Sequence, residues 1–236
     1  NPGGHSSRPR PDNAIYELAN ALVRLEHHRF PFELNNVTHV YYEHLGQAEK
    51  GERAADIRAM LRTPPDMSAV ERISHDPIDD SRLHTTCVAT RLAAGHANNA
   101  LPGRAEAIVN CRILPGHTKQ QIRDDLVKIV SDPQIQVHYV TSDGQILNSI
   151  PEQHAFSPPP PNPEVFQAAT TVAAMMWPGT PLFPTMATGA SDGVHTMAAD
   201  LPTYGLSGVE TERDDHREHG RDERLSITSF FRGVQF

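Results

Sequence analysis

The 236-residue sequence has no apolar run approaching the ~20 residues needed to cross a bilayer. Its opening residues, Asn1-Pro2-Gly3-Gly4-His5, carry neither the charged nor the apolar region of a secretory leader. A membrane is therefore not an expected partner. Because the start reads like the middle of a domain, a leader removed earlier stays open, and so does the compartment. Positive charge is also short: 21 Lys and Arg face 29 Asp and Glu, a formal net charge of -8. No broad positive field exists to attract a phosphate backbone, which argues against nucleic acid. Two cysteines are too few for a disulfide framework. What is present in quantity is 38% hydrophobic residues, enough for one large or two small cores, and 14 histidines. Neutral imidazole is the commonest metal ligand, so the histidine count invites a metal hypothesis without choosing among the histidines.

After Gly3-Gly4, Asp12-Asn13 can cap a helix whose apolar positions Ile15, Leu18, Leu22 and Leu25 recur at three- and four-residue steps, ending near Phe30 before Pro31. A less regular stretch to about Asp80 follows, with one charged helical segment from roughly Glu49 to Leu61, and reads as an insertion or connecting region. Two strands, 85–92 and 106–114, form an antiparallel pair through the Gly95–Gly103 connection. A register symmetric about Asn99 sets Cys87 opposite Cys111. The pair is then either bonded or, the favoured reading because such strand pairs strain a disulfide, two reduced thiols inside the sheet. Pro115-Gly116-His117-Thr118 opens a helix through Ile122, Leu126 and Ile129, and Ile135–Val140 makes a third strand. Helix, strand, strand, helix, strand is the order of a ferredoxin-like two-layer α+β sandwich whose opening strand, the one feeding Gly3-Gly4, is not in the sequence.

The four prolines Pro158 to Pro161 form a stiff extended linker. Beyond them come a helix from Glu164 to Met176, a short strand around Leu182-Phe183, a Gly-Ala-Ser-Asp-Gly turn and a helix through Met197. A strand near Thr203–Leu206, a charged loop and a last helix from about Glu223 to Gly233 complete the chain. Alternating helices and strands indicate α/β, with residues 1–142 as one domain and 143–236 as part of a second.

The loop from Glu210 to Glu223 is the densest cluster of potential metal ligands, yet a charge run is more often a solvated face. Four separated segments carry more weight together: Gly3–Pro9 with Asp12–Ile15, Gly95–Pro102 leading into Asn110–Gly116, Gly189–Gly193, and His219–Glu223. In type and order they resemble the co-catalytic zinc peptidase and deacylase family that includes acetylornithine deacetylase, succinyl-diaminopimelate desuccinylase and glutamate carboxypeptidase.

The resemblance implies an α/β catalytic domain interrupted by a lid that mediates homodimerisation, with this chain starting at the lid and ending in the C-terminal catalytic segment. It implies two zinc ions in the complete enzyme, with cobalt or manganese as alternatives. Of the metal ligands, His219 matches the last; the family's His-x-Asp segment, bridging aspartate and Glu-Glu pair have no counterpart here, so these residues alone are expected to be inactive. Asp222 stands where the family more often has asparagine, and His216 and His195 read as a surface histidine and a packing or hydrogen-bonding one. His5 matches the lid histidine that enters the partner subunit's active site as an oxyanion donor. Asn99 matches a lid amide contacting substrate across the dimer, and Arg112 a guanidinium that grips a substrate carboxylate. Gly189 and Ser191 lie in the turn whose backbone N–H groups face that carboxylate.

Without the resemblance, His5 is a turn histidine, Asn99 a hairpin residue, Arg112 a solvent-facing strand arginine and the Gly189–Gly193 turn a helix cap. The substrate implied is a short peptide or N-acyl amino acid with a free carboxylate. Two rival readings are a non-catalytic dimerisation or binding module and a zinc-storing protein built on the charged loop.

Overall fold

The computed structural model describes residues 1–151, 157–212, 215 and 217–236. Contacts divide the chain into two compact units, one of residues 1–158 with 186–190, the other of residues 159–185 with 191–236. Helices and small antiparallel sheets make up an α/β fold.

The first unit opens with β1 (Gly4–His5) and α1 (Ala14–Glu26). Asn13, in extended conformation, accepts a hydrogen bond from the Ile15 N–H and so starts α1 one residue later. The helix ends at Glu26, short of the Phe30 expected, as the His28 N–H bonds back three residues to the Leu25 carbonyl instead of four, tightening the last turn.

Four helices follow: α2 (Asn36–Ala48), α3 (Gly51–Met60), α4 (Met67–Ile73) and α5 (Pro77–Leu83). Of these, α3 is the charged segment expected from roughly Glu49 to Leu61, while the other three form where the sequence reads as irregular. Each is set by local chemistry. Asn35 and Thr38 form a reciprocal capping box at α2, and Asp66 and Asp76 cap α4 and α5. The apolar positions within each helix are few, which hides the period in the sequence. Collected from several short helices, Tyr42, Ile57, Met60, Val70, Ile73 and Leu83 form one buried core. Asp79, also buried, accepts from the Tyr42 hydroxyl at 2.9 Å and from Arg53 Nη2 at 2.5 Å.

The chain then forms β2 (Thr86–Ala94), β3 (Ala100–Leu101) and β4 (Ala105–Arg112). β2 and β4 pair antiparallel with Cys87 opposite Cys111, in the expected register as far as Ala89 and Val109. A bulge between Ala89 and Arg91 shifts the remaining pairs by one residue. Cys87 and Cys111 are bonded, with their Cα atoms 4.1 Å apart, correcting the reading as reduced thiols. The small Cα separation is what brings the two sulfurs together. Next come α6 (Lys119–Val130), capped by Thr118 and Gln121, then β5 (Tyr139–Val140) and β6 (Ile146–Leu147). Only Tyr139 and Val140 of the expected strand 135–140 pair, and they pair with β6. α1 packs against α6 and against both β2 and β4. A cavity of about 920 Å³ lies between α1, α6 and the residues of β4, with Leu18, Leu22, Ile108, Ile122 and Leu126 in its wall. Among the described residues no strand pairs with β4 on the side away from β2.

The second unit contains α7 (Pro163–Met176), α8 (Gly193–Ala198) and α9 (Ile227–Gln235). Asn162 caps α7 and Pro163 occupies its first turn, where a missing N–H costs nothing. The segments around Leu182-Phe183 and Thr203–Leu206 are not strands, contrary to expectation. A strand is defined by a ladder of backbone pairs, and neither segment belongs to any of the three two-stranded sheets among the described residues. α9 is anchored by Glu210: its backbone carbonyl accepts from the buried Ser229 hydroxyl at 2.5 Å, and its carboxylate pairs with Arg232 at 3.0 Å and with the Trp177 indole N–H.

Candidate functional site

His5 and Asn99, 94 positions apart in sequence, meet through the β1–β3 pair. Gly4 lies opposite Leu101, His5 opposite Ala100, and the Ser6 N–H donates to the Asn99 carbonyl at 2.9 Å. Two glycines permit this approach. Gly3 takes φ 73°, a left-handed conformation, and a Cβ on Gly103 would meet the Asn1 carbonyl oxygen at 2.9 Å.

The His5 ring is oriented by Ser7, a residue the sequence reading missed. The Ser7 backbone N–H donates to His5 Nδ1 at 3.2 Å, and the Ser7 hydroxyl lies 2.7 Å from the same nitrogen. A nitrogen that accepts an amide hydrogen carries no proton of its own, so in the neutral ring the proton is on Nε2. Both His5 and Asn99 are exposed. The arrangement presents one N–H donor and one carboxamide at the tip of the strand pair. The only local signal for it was a serine two residues after the histidine.

Arg112 ends β4 opposite Thr86, about 24 Å along the strand from Ala105 at 3.4 Å per residue. It is exposed, makes no ion pair among the described residues, and is not brought to His5. Gly189 groups with the first unit and Ser191 with the second, and both are exposed. Asp192, at the start of α8, makes no side-chain cap, so the turn lacks the bond that an ordinary capping role requires. The N–H groups of Gly189, Ala190 and Ser191 donate to no backbone carbonyl of a described residue.

His219 is exposed and has φ 60°, and Asp222 has φ 58°. Left-handed backbone is uncommon outside glycine, costs on the order of 1 kcal/mol and gathers at functional turns; Asp and Asn tolerate it best. Nearby, Asp215 pairs with Arg217 at 2.6 Å and with Arg224 at 3.2 Å, so part of the loop's charge is neutralised internally. His195, in α8, is exposed, not packed. His216 lies outside the described residues. Among the described residues no three His, Cys, Asp or Glu side chains converge as a metal site. A zinc centre takes three or four protein donors, of which His219 would be one, so these residues do not by themselves fit the metal.

The family model for the peptidase dimerisation domain matches residues 1–138. A probable carboxypeptidase S-like 2 from Dictyostelium discoideum is 26% identical over 239 residues, covering 99% of this chain and 43% of that protein. N-fatty-acyl-amino acid synthase/hydrolases are similar as well, at 27% identity in Xenopus tropicalis over 99% of this chain and 44% of that protein, and at 25% in Homo sapiens over 99% and 45%. The chain thus spans less than half the length of these relatives. No solved structure matches. No helix among the described residues is long and apolar enough to cross a membrane.

Proposed function

From the premise that this chain belongs to the peptidase dimerisation-domain family, we propose that it is the lid and C-terminal catalytic segment of a zinc-dependent amide hydrolase. Residues 1–142 form the lid and 143–236 the catalytic segment. The substrate is a short peptide or an N-acyl amino acid with a free carboxylate, a class in keeping with the names of the carboxypeptidase-like and N-fatty-acyl-amino acid hydrolase relatives.

The observation that carries the reading is His5. Its Nδ1 is held by Ser7, and Nε2–H is left to donate, beside Asn99, to a negative charge developing on an amide oxygen. In a homodimer through the lid, His5 and Asn99 would act in the active site of the partner subunit. The exposed apolar side chains Tyr16 and Val23 of α1 and Val88 and Leu92 of β2 support such a contact face. Arg112, Gly189 and Ser191 would bind the substrate carboxylate, the arginine by two parallel bonds. His219 would contribute an imidazole to the metal centre, whose remaining ligands would lie outside these residues. Zinc held there would supply Lewis acidity toward a bound water and the substrate carbonyl.

Exposed Met175, Leu201, Leu206, Ile227, Phe231 and Val234 give the second unit an apolar surface of the kind that a larger catalytic domain covers. The free side of β4 and the cavity beside it accept the further strand expected from the sequence order.

The test is hydrolysis of N-acyl amino acids and dipeptides by the full-length gene product. Chelator should abolish it and zinc should restore it. Full-length, zinc-loaded protein inert toward every free-carboxylate amide, but dimeric, would favour the non-catalytic module instead.

A further inference from the structure

The four-helix insert α2–α5 has its own core and no part in the chemistry above. It does, however, hold one remote segment. Arg82 Nε donates to the Met186 carbonyl at 3.3 Å, and the Asn35 side-chain amide reaches Met186 Sδ at 3.3 Å. Both contacts fall on the residue three before Gly189, in the short stretch 186–190 that groups with the first unit.

The arginine doing this is itself fixed on several sides. Its Nη1 donates to the Tyr41 hydroxyl at 2.9 Å, its guanidinium lies 4.6 Å from the Tyr41 ring centroid, and Asp79 Oδ1 is 3.8 Å away. Asp79 is in turn bonded by Tyr42 and Arg53 inside the insert. A charged fork packed on a ring and backed by a buried carboxylate is a rigid donor. A carbonyl held by it fixes the chain that follows. Immediately downstream, the Gly189 and Ala190 N–H groups are free of backbone partners among the described residues, and a Cβ on Gly189 would meet nothing within 4 Å.

We propose that the insert sets substrate specificity: Arg82, backed by Tyr41 and Asp79, is a positioning residue that orients the Gly189–Ala190 backbone toward the substrate carboxylate. This rests on the carboxylate-binding role given above to the Gly189 turn. Arg82 touches no substrate; it acts through Met186.

The test uses the full-length enzyme with an N-acyl amino acid and its carboxamide counterpart. Arg82→Ala should raise KM for the carboxylate about tenfold while leaving kcat within about twofold and the carboxamide KM unchanged, since misplacing a positioning group costs one to two orders of magnitude. Arg82→Lys, which keeps a donor for the Met186 carbonyl, should recover most of the loss. Should Arg82→Ala not fold, Arg82→Met serves, keeping most of the volume without a donor for the Met186 carbonyl. Ile57→Val, in the insert core and away from Met186, should lower the melting temperature without moving KM. If Ile57→Val shifts KM as Arg82→Ala does, the effect is one of stability and the proposal fails. Gly189→Pro, which removes the Gly189 N–H, separates the two layers of the argument. A raised carboxylate KM for Gly189→Pro with none for Arg82→Ala overturns the positioning role alone; an unchanged KM for Gly189→Pro overturns the carboxylate site and the proposal with it.

Discussion

Replacing His5 by alanine removes the Nε2–H donor while disturbing little else. The ring is exposed and its described contacts are with Ser7, through Nδ1. Stability should therefore change by less than about 0.5 kcal/mol. Removing one donor aimed at a developing oxyanion costs about 10²–10³ in kcat, or about 3 kcal/mol of transition-state stabilisation. The same structure grades the effect. Ser7→Ala takes away the hydroxyl at 2.7 Å but leaves the backbone N–H at 3.2 Å, so the ring keeps one restraint and kcat should fall only about threefold. The assay is steady-state hydrolysis by full-length protein, with zinc per chain measured on the same samples. His5→Ala should keep its zinc and its fold. Equal kcat in wild type and His5→Ala, at equal zinc content, would refute the role of His5; a loss of kcat matched by a loss of zinc would move the residue to the metal centre.

The Cys87–Cys111 bond closes a loop of sequence separation 24, worth about 3 kcal/mol by chain entropy. Denatured, unreduced protein should show no titratable thiol from this pair, and two would contradict the bond. Asp79→Ala should cost about 3 kcal/mol in denaturant unfolding, because it strands Arg53 and the Tyr42 hydroxyl in the insert; a cost under 1 kcal/mol would mean that the insert relaxes around the loss. For Asp80, burial acts to raise the carboxyl pKa, but His84 at 3.0 Å and Arg29 at 2.6 Å, itself shared with Glu71, together hold it below the usual range. A carboxyl lowered in the folded state stabilises above its unfolded pKa and loses that stabilisation as pH falls through the folded value. Asp80→Asn should thus be less stable than wild type at pH ~7, with the gap closing toward pH ~3; denaturant midpoints separated equally at both pH values would contradict the pairing.

Elements whose signals are local were legible in the sequence. Asn13 and Thr118 cap helices at the places where the sequence sets their starts, and α7 begins at Pro163, one residue before the Glu164 expected. A register symmetric about Asn99, the middle of the connection, sets Cys87 opposite Cys111 as observed, and it fails only beyond the bulge at Thr90, which no residue type announces. Of the insert, α3 was legible as the charged helical segment from roughly Glu49 to Leu61, but the core was not, because Tyr42, Ile57, Met60, Val70, Ile73 and Leu83 are drawn from four separate helices, of which α4 and α5 have 7 residues each. The strands expected at Leu182-Phe183 and Thr203–Leu206 have the right residues but join no sheet among the described residues, and joining a sheet is not a property of one segment. At the candidate site, the nearness of His5 to Asn99 was implied by the family resemblance, whereas Ser7 and Arg82 act through geometry that only the folded chain reveals.

The central claim is that the lid histidine serves the active site of the partner subunit, and subunit mixing tests it. Full-length His5→Ala protein, with its metal centre intact, is combined under reversible dissociation with His219→Ala protein, which retains its lid. Each parent should be nearly inactive. If His5 acts across the dimer, half of the randomly mixed dimers hold one complete site, and activity should rise to about a quarter of wild type. A mixture no more active than its parents, with exchange of subunits verified, would contradict the account.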